Sequence, residues 1–183
     1  IITASKDDFK IFESIAAKIQ SDKPIIISEG GDTRMSSIHN ALGQISDDFT
    51  GLVAIHDAAR PFIDTDFLSR CFFSAAKYGA AVPAIPVSDT IKEAEGSVIV
   101  GTPDRSRFFA VQTPQVFDCC KIKKAYLLAH SDGQDYTDDA SVYEKHIGKV
   151  SLTEGLDGNV KLTRKSDFAA FFPDRFIIGT GFD

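Results

Sequence analysis

Short apolar runs at residues 24–28, 52–55 and 80–85 alternate with longer amphipathic stretches, and this alternation constrains the fold more than any other feature of the chain. A run of four to eight apolar residues has the length of a buried strand, and apolar residues spaced three and four apart form the covering face of a helix. The pattern predicts an α/β domain, Rossmann-like, with a parallel sheet and helices on both faces. A strand tail is expected at residues 1–3. Ser5 should cap the next helix, with Asp7 and Asp8 in its first turn and an apolar face of Phe9, Phe12, Ile15, Ala16 and Ile19. Helices are expected at 36–45, 65–78, 121–130 and 137–147, then a strand at 149–153, a short strand at 160–163 and a last helix from Ser166.

Residues 88–112 break this rhythm. Two extended segments, 90–92 and 97–100, flank a turn at Glu95-Gly96 and predict a hairpin arm, spanning about 87–112, that projects from the body. The net charge of −6 excludes a general nucleic-acid binder, because neutralising a phosphate backbone needs a surplus of Lys and Arg. No apolar run reaches the length that spans a bilayer. Cys71, Cys119 and Cys120 lack metal-ligand spacing and suit a reducing, cytoplasmic compartment.

In α/β sheets ligands bind beyond the carboxyl ends of strands, so polar groups just after each strand are the first candidates for chemistry. Gly30-Gly31-Asp32-Thr33-Arg34 follows the 24–28 strand. Adjacent glycines let a flat ligand approach backbone N–H groups, although the same residues also suit a plain strand-to-helix turn capped by Asp32. His56-Asp57-Ala58-Ala59-Arg60-Pro61 follows the 52–55 strand. Asp57 could meet a ribose hydroxyl or a metal-bound triphosphate and Arg60 a phosphate, or the two could pair with each other. His56 ends an apolar strand and reads as packed rather than ligating.

Lys92, Arg105 and Arg107 bring positive charge to the arm of an otherwise negative chain. Gln112-Thr113-Pro114-Gln115 follows the arm. Thr137-Asp138-Asp139-Ala140-Ser141 opens a helix, with Thr137 as the natural N-cap. In Asn159-Val160-Lys161-Leu162-Thr163, strand alternation would turn Lys161 away from Val160 and Leu162, and an inward Lys needs an anion.

Six of these segments, in order along nearly the whole chain, resemble the 2-C-methyl-D-erythritol 4-phosphate cytidylyltransferase family: GGDTRMSSIHNAL, HDAARP, PVSDTIK, DRSRFFAVQTPQVF, TDDAS and GNVKLT. The resemblance implies transfer of CMP from CTP to a sugar-alcohol phosphate with Mg²⁺ on the triphosphate. Gly31, Asp32 and Ser37 would recognise cytosine, and Asp57 and Ala58 would lie by the ribose and the acceptor. Arg60, Thr113, Thr137 and Lys161 would surround the acceptor phosphate, with Lys161, Arg60 and Arg105 carrying catalysis. Thr90 and Arg105 would reach the acceptor of a partner subunit, because the family dimerises by exchanging its arm. The family's glycine-rich loop and first strand have no counterpart before Ile1, so the resemblance also predicts poor turnover by this chain alone.

Residues 1–172 read as the cytidylyltransferase domain. Residues 173–183 read as a linker whose GTGFD resembles the opening of 2-C-methyl-D-erythritol 2,4-cyclodiphosphate synthase, where Asp183 would ligate a divalent metal such as Zn²⁺. A ribitol 5-phosphate cytidylyltransferase and a catalytically silent dimerising module are the competing readings.

Overall fold

A computed structural model describes residues 1–134 and 136–171. Its elements are β1 (Ile2–Ala4), a 3-10 turn (Lys6–Asp8), α1 (Phe9–Ala16), β2 (Ile27–Glu29), α2 (Arg34–Gly43), β3 (Leu52–Ile55), α3 (Thr65–Tyr78) and β4 (Ala80–Pro86). There follow β5 (Glu93–Glu95), β6 (Val98–Gly101), a 3-10 turn (Arg105–Arg107), β7 (Phe109–Val111), β8 (Gln115–Asp118), α4 (Cys119–Asp132), α5 (Asp139–His146), β9 (Ser151–Glu154) and α6 (Lys165–Phe171).

The sheet corrects the expectation of purely parallel strands. β9 runs parallel to β4, but β8 lies between β3 and β4 and is antiparallel to both. β7 also pairs antiparallel with β4, on the edge that β8 occupies. β7 and β8 are therefore one returning strand with a break. The register slips by two residues between the Ala84–Val111 and Ala81–Val116 pairs, and the slack is taken up at Thr113-Pro114, which forms a cis peptide. The returning limb of the arm enters the body's sheet, which sequence periodicity had no means to reveal. β1 and β2 form a separate parallel pair.

Side-chain alternation on the central strands builds two cores. Ala81 and Val116 face Phe67, Cys71 and Ala75 of α3 on one side. Ala80, Val82 and Phe117 face Ile122, Tyr126, Val142 and Tyr143 of α4 and α5 on the other. The small residues of β4 let helices approach closely from both faces.

Local caps explain the helix limits. Asp64 accepts from Phe67 N at 2.7 Å to open α3, and Gly79, at φ 87°, ends it in the left-handed conformation that glycine adopts without strain. α2 is capped by Thr33 in a reciprocal box with Ser36, not by Asp32. α5 is capped by Asp138 with Ser141, not by Thr137, which stands one residue outside the helix. Ser5 bonds Asp8 side chain to side chain at 2.7 Å and makes no backbone cap. On α1, Phe9, Phe12 and Ala16 are half-buried while Ile15 remains exposed, as does Ile19 just beyond the helix. The arm's hairpin is β5–β6, a few residues later than expected for its first strand, turning at Gly96 with φ 60°. Residues 160–163 form no regular strand.

Candidate active site

Asp57 stands just past the end of β3, in a loop tied by hydrogen bonds to residues 112–113 and 156–159. Its N–H donates to Thr113 Oγ1 at 3.0 Å, and that hydroxyl also meets His56 Nδ1 at 3.0 Å. His56 Nε2 lies 2.9 Å from the Arg60 carbonyl, which can only accept, so Nε2 carries a proton. In the neutral ring Nδ1 then accepts from Thr113. Arg60 donates through Nη1 to the Asn159 carbonyl at 2.6 Å, and Asn159 Nδ2 donates to the Thr113 carbonyl at 2.8 Å. Gln112 adds a pair of bonds with the backbone of Leu156, at 2.9 and 3.0 Å. Gln112 and Thr113, just before the strand break, thus meet the loops after β3 and β9, while Gln115, just after it, bonds Asp138 and Ala140 at the start of α5.

The Asp57 side chain carries two cations. Lys161 Nζ is 2.8 Å from Oδ2, and Arg34 Nη2 is 3.6 Å from Oδ1. Lys161 finds the anion that the sequence argument required, though from an irregular segment rather than a strand. Among the described residues Arg60 makes no ion pair with Asp57, so the local-pair alternative gives way to Arg60's bond with Asn159. Burial pushes the Asp57 carboxyl up. The hydrogen bond and charge of Lys161, with the charges of Arg34 and Arg60, outweigh it and hold the group below the usual carboxylate range.

Three cavities run together here. The first, about 390 Å³, brings Gly31, Asp32 and Ser37 together with Lys6 and Glu29. Gly31 N donates to Ser37 Oγ at 2.9 Å, and a Cβ at Gly31 would stand 2.2 Å from Ser36 Oγ, so only glycine fits this approach. The second, about 470 Å³, is lined by Ser37, Asp57, Ala58, Arg34 and Lys161. The third, about 400 Å³, gathers Arg60, Thr113, Thr137, Asp57, Arg34 and Lys161. Ser37 borders the first two, while Arg34, Asp57 and Lys161 border the second and third. A fourth, apolar cleft of about 390 Å³ between β1 and β3 carries no Lys, Arg, Asp or Glu in its lining.

The family model for 2-C-methyl-D-erythritol 4-phosphate cytidylyltransferase matches residues 1–173. The chain belongs to this family. It is 40% identical over 188 residues to the bifunctional enzyme IspD/IspF of Rhodopseudomonas palustris, covering 98% of the chain and 46% of that protein. The chain thus spans about half the length of that relative. It is 41% identical over 157 residues to the 2-C-methyl-D-erythritol 4-phosphate cytidylyltransferase of Geobacillus kaustophilus, covering 85% of the chain and 68% of the relative. The crystal structure of 4-diphosphocytidyl-2C-methyl-D-erythritol synthase from Anaerococcus prevotii superposes with a TM-score of 0.82 at 28% identity, covering 91% of the chain and 76% of that structure.

Within the family member, most of the residues carried over from the sequence meet: Gly31, Asp32 and Ser37 in the first cavity, Asp57 and Ala58 in the second, Arg60, Thr113, Thr137 and Lys161 in the third. Thr90 and Arg105 do not join them. They lie on the arm, where Arg105 donates to the Ser88 carbonyl and borders none of the three cavities. Asp183 and the expected start of a second domain lie outside the described residues.

Sequence reasoning missed Arg34, Gln115, Tyr126, Asp139 and Asn159 as parts of this site. Asp139 is fully buried, and Arg34 grips it through Nη1 at 3.2 Å and Nη2 at 2.6 Å. The Tyr126 hydroxyl donates to the same carboxylate, and burial together with Asp139 pushes its pKa far up. An Arg in the first turn of α2 was the available signal, since a cation there opposes the helix dipole.

Proposed function

We propose that the chain transfers CMP from CTP to 2-C-methyl-D-erythritol 4-phosphate in the non-mevalonate route to isoprenoid precursors. An oxygen of the acceptor phosphate attacks the α-phosphorus of CTP in line. The new P–O bond forms as the bond from the α-phosphorus to the bridging oxygen breaks, and pyrophosphate leaves with that electron pair. The reaction needs no covalent enzyme intermediate, so the protein's work is to align the two phosphates and stabilise charge on the transferring oxygens.

The observation that carries this reading is the continuous trough whose two ends suit a base and an anionic acceptor, with Arg34, Asp57 and Lys161 at the wall they share. Gly31, Asp32 and Ser37 read the cytosine, and Asp57 and Ala58 flank the ribose. Arg60, Thr113, Thr137 and Lys161 hold the acceptor, with Lys161 nearest the reacting phosphoryl group. Among the described residues no cluster of three or more His, Cys, Asp or Glu side chains could cage a metal ion. Mg²⁺ would be held mainly by the triphosphate, with Asp57 the carboxylate of the shared wall able to face it, and would neutralise triphosphate charge.

The arm exposes Val98, Ile99, Val100, Phe108 and Phe109, an apolar surface that supports reading it as the contact of a homodimer. In that dimer Thr90 and Arg105 serve the partner's acceptor site. The resemblance of 173–183 to a second-domain opening, with a bifunctional relative beside it, supports reading those residues as the approach to a cyclodiphosphate synthase.

Pyrophosphate release from CTP by the full-length protein, with methylerythritol phosphate and ribitol 5-phosphate as rival acceptors, tests the assignment. Turnover with methylerythritol phosphate alone is expected. Turnover with ribitol phosphate alone, or with neither, refutes it.

A further inference from the structure

Arg34 is the first residue of α2 and Asp139 the first of α5, so their ion pair joins the N-termini of two helices that flank the trough. A cation in a helix's first turn is locally unfavourable, and a carboxylate with no exposed surface must be paired. Both conditions are met by one guanidinium. It grips Asp139 with two nitrogens and still presents Nη2 at 3.6 Å to Asp57 Oδ1. Contacts of alternating character run from the core to the trough: the Tyr126 hydroxyl on Asp139, Asp139 on Arg34, Arg34 on Asp57, Asp57 on Lys161. The last three residues of this series are the ones bordering both the nucleotide-side and acceptor-side cavities.

Resting on the reaction proposed above, we infer that Arg34 is a positioning residue, anchored by the buried Asp139–Tyr126 pair, that holds one oxygen of Asp57 so that the other stays on Lys161. Arg34 acts through Asp57. Its charge is largely met by Asp139, so direct stabilisation of the phosphoryl group falls to Lys161. Only a planar fork can serve two carboxylates in this way; an ammonium is a single point charge on a flexible stem.

Arg34→Lys separates positioning from charge balance. The lysine keeps a cation beside Asp139, so the variant is expected to fold with a thermal midpoint near wild type but to lose the bridge to Asp57. Its kcat should fall on the order of 10- to 100-fold, as expected when a reacting group is misplaced by about 1 Å, while KM for CTP changes little. On an Asp57→Asn background the same substitution should cost little further, because the ion pair it breaks has already lost its anion. Should Arg34→Lys fail to fold, Asp139→Asn takes its place. It keeps the anchor's shape, weakens its grip, and should show the same loss of kcat and the same non-additivity.

A readout independent of turnover is the titration of the Asp57 carboxyl carbon by NMR, with Lys161, Arg34 and Arg60 as the charges acting on it. Withdrawing Arg34 should move that titration to higher pH. Wild-type kcat in Arg34→Lys, additive losses with Asp57→Asn, or an unmoved Asp57 titration would each overturn the inference. If wild type itself releases no pyrophosphate with methylerythritol phosphate, the proposed reaction fails, and the NMR titration alone decides whether Arg34 holds Asp57.

Discussion

Gln115 is nearly fully buried in β8 and links the sheet to the start of α5. Its Oε1 accepts from Ala140 N at 2.8 Å, and its Nε2 donates to Asp138 Oδ2 at 2.9 Å. Gln115→Glu changes one donor to an acceptor with almost no change in shape, so its cost is electrostatic. Two unit charges at that separation repel by about 6 kcal/mol at an effective dielectric constant near 20. The new carboxyl escapes by keeping a proton. That costs about 1.4 kcal/mol for each pH unit above its ordinary value of about 4.3, or about 3.7 kcal/mol at pH 7. Protonation is the cheaper route, and the protonated group again donates to Asp138. The folded-state pKa of the introduced carboxyl is therefore raised, so the variant is least harmed at low pH and loses stability as pH rises from about 4.3 toward the folded value. Urea unfolding of both proteins should give a destabilisation of about 1 kcal/mol at pH 5, growing to about 3.7 at pH 7. The two should share an m-value, since the same surface is exposed. A difference independent of pH, or one below about 1 kcal/mol at pH 7, would refute the assignment of Gln115 as a donor to Asp138.

Lys161→Gln removes a half-exposed cation from Asp57 and should lower kcat by about 100-fold or more, the scale of losing one preorganised electrostatic contact. Its unfolding midpoint should fall only modestly, since Arg34 still faces Asp57, and a loss of turnover that tracks a loss of fold would count against the catalytic role. Because the Asp57 carboxyl is held below its ordinary range, its ion pairs stabilise the fold above about pH 4 and are lost as pH falls through the depressed value. The stability gap between wild type and Asp57→Asn should accordingly shrink as pH falls below about 4, and a constant gap would contradict the pairing. Phe67→Ala empties a fully buried site under α3 and should cost about 3–5 kcal/mol in urea unfolding. A cost below about 1 kcal/mol would mean that α3 does not pack as described.

Where a signal is local, the sequence and the structure agree closely. β3 and α3 begin and end where apolar length, Asp64 and Gly79 say they should. The cap of α5 moved by one residue because Thr137, Asp138 and Asp139 all suit an N-terminus, and only the bond to Ser141 decides among them. Strand direction was not legible. β8 itself was not legible, because Val116 and Phe117 are its only apolar residues, and its insertion between β3 and β4 follows from the arm folding back. The motifs led to Asp57, Arg60 and Thr113 because each lies within a few residues of a strand's end, and to Lys161 because it stands between Val160 and Leu162. Arg34 escaped because its partner Asp139 is 105 residues away. A buried Asp reads in sequence like any helix-capping acid, and burial of the Tyr126–Asp139 pair is a tertiary fact.

The insertion of β8 also matters for the chain as it is made. β3 and β4 are not neighbours in the sheet, so when the ribosome has finished both, neither has its mate on the edge they share. That mate, β8, is separated from the end of β4 by 28 residues, 87–114. At about 5–20 residues per second these take roughly 1.5 to 6 s to synthesise. Through that interval the nascent chain carries two bare strand edges, the Ala80–Val82 stretch among them, and the charged arm is being made over the same interval. Translation speed through the arm therefore sets how long the centre of the sheet stands open to mispairing.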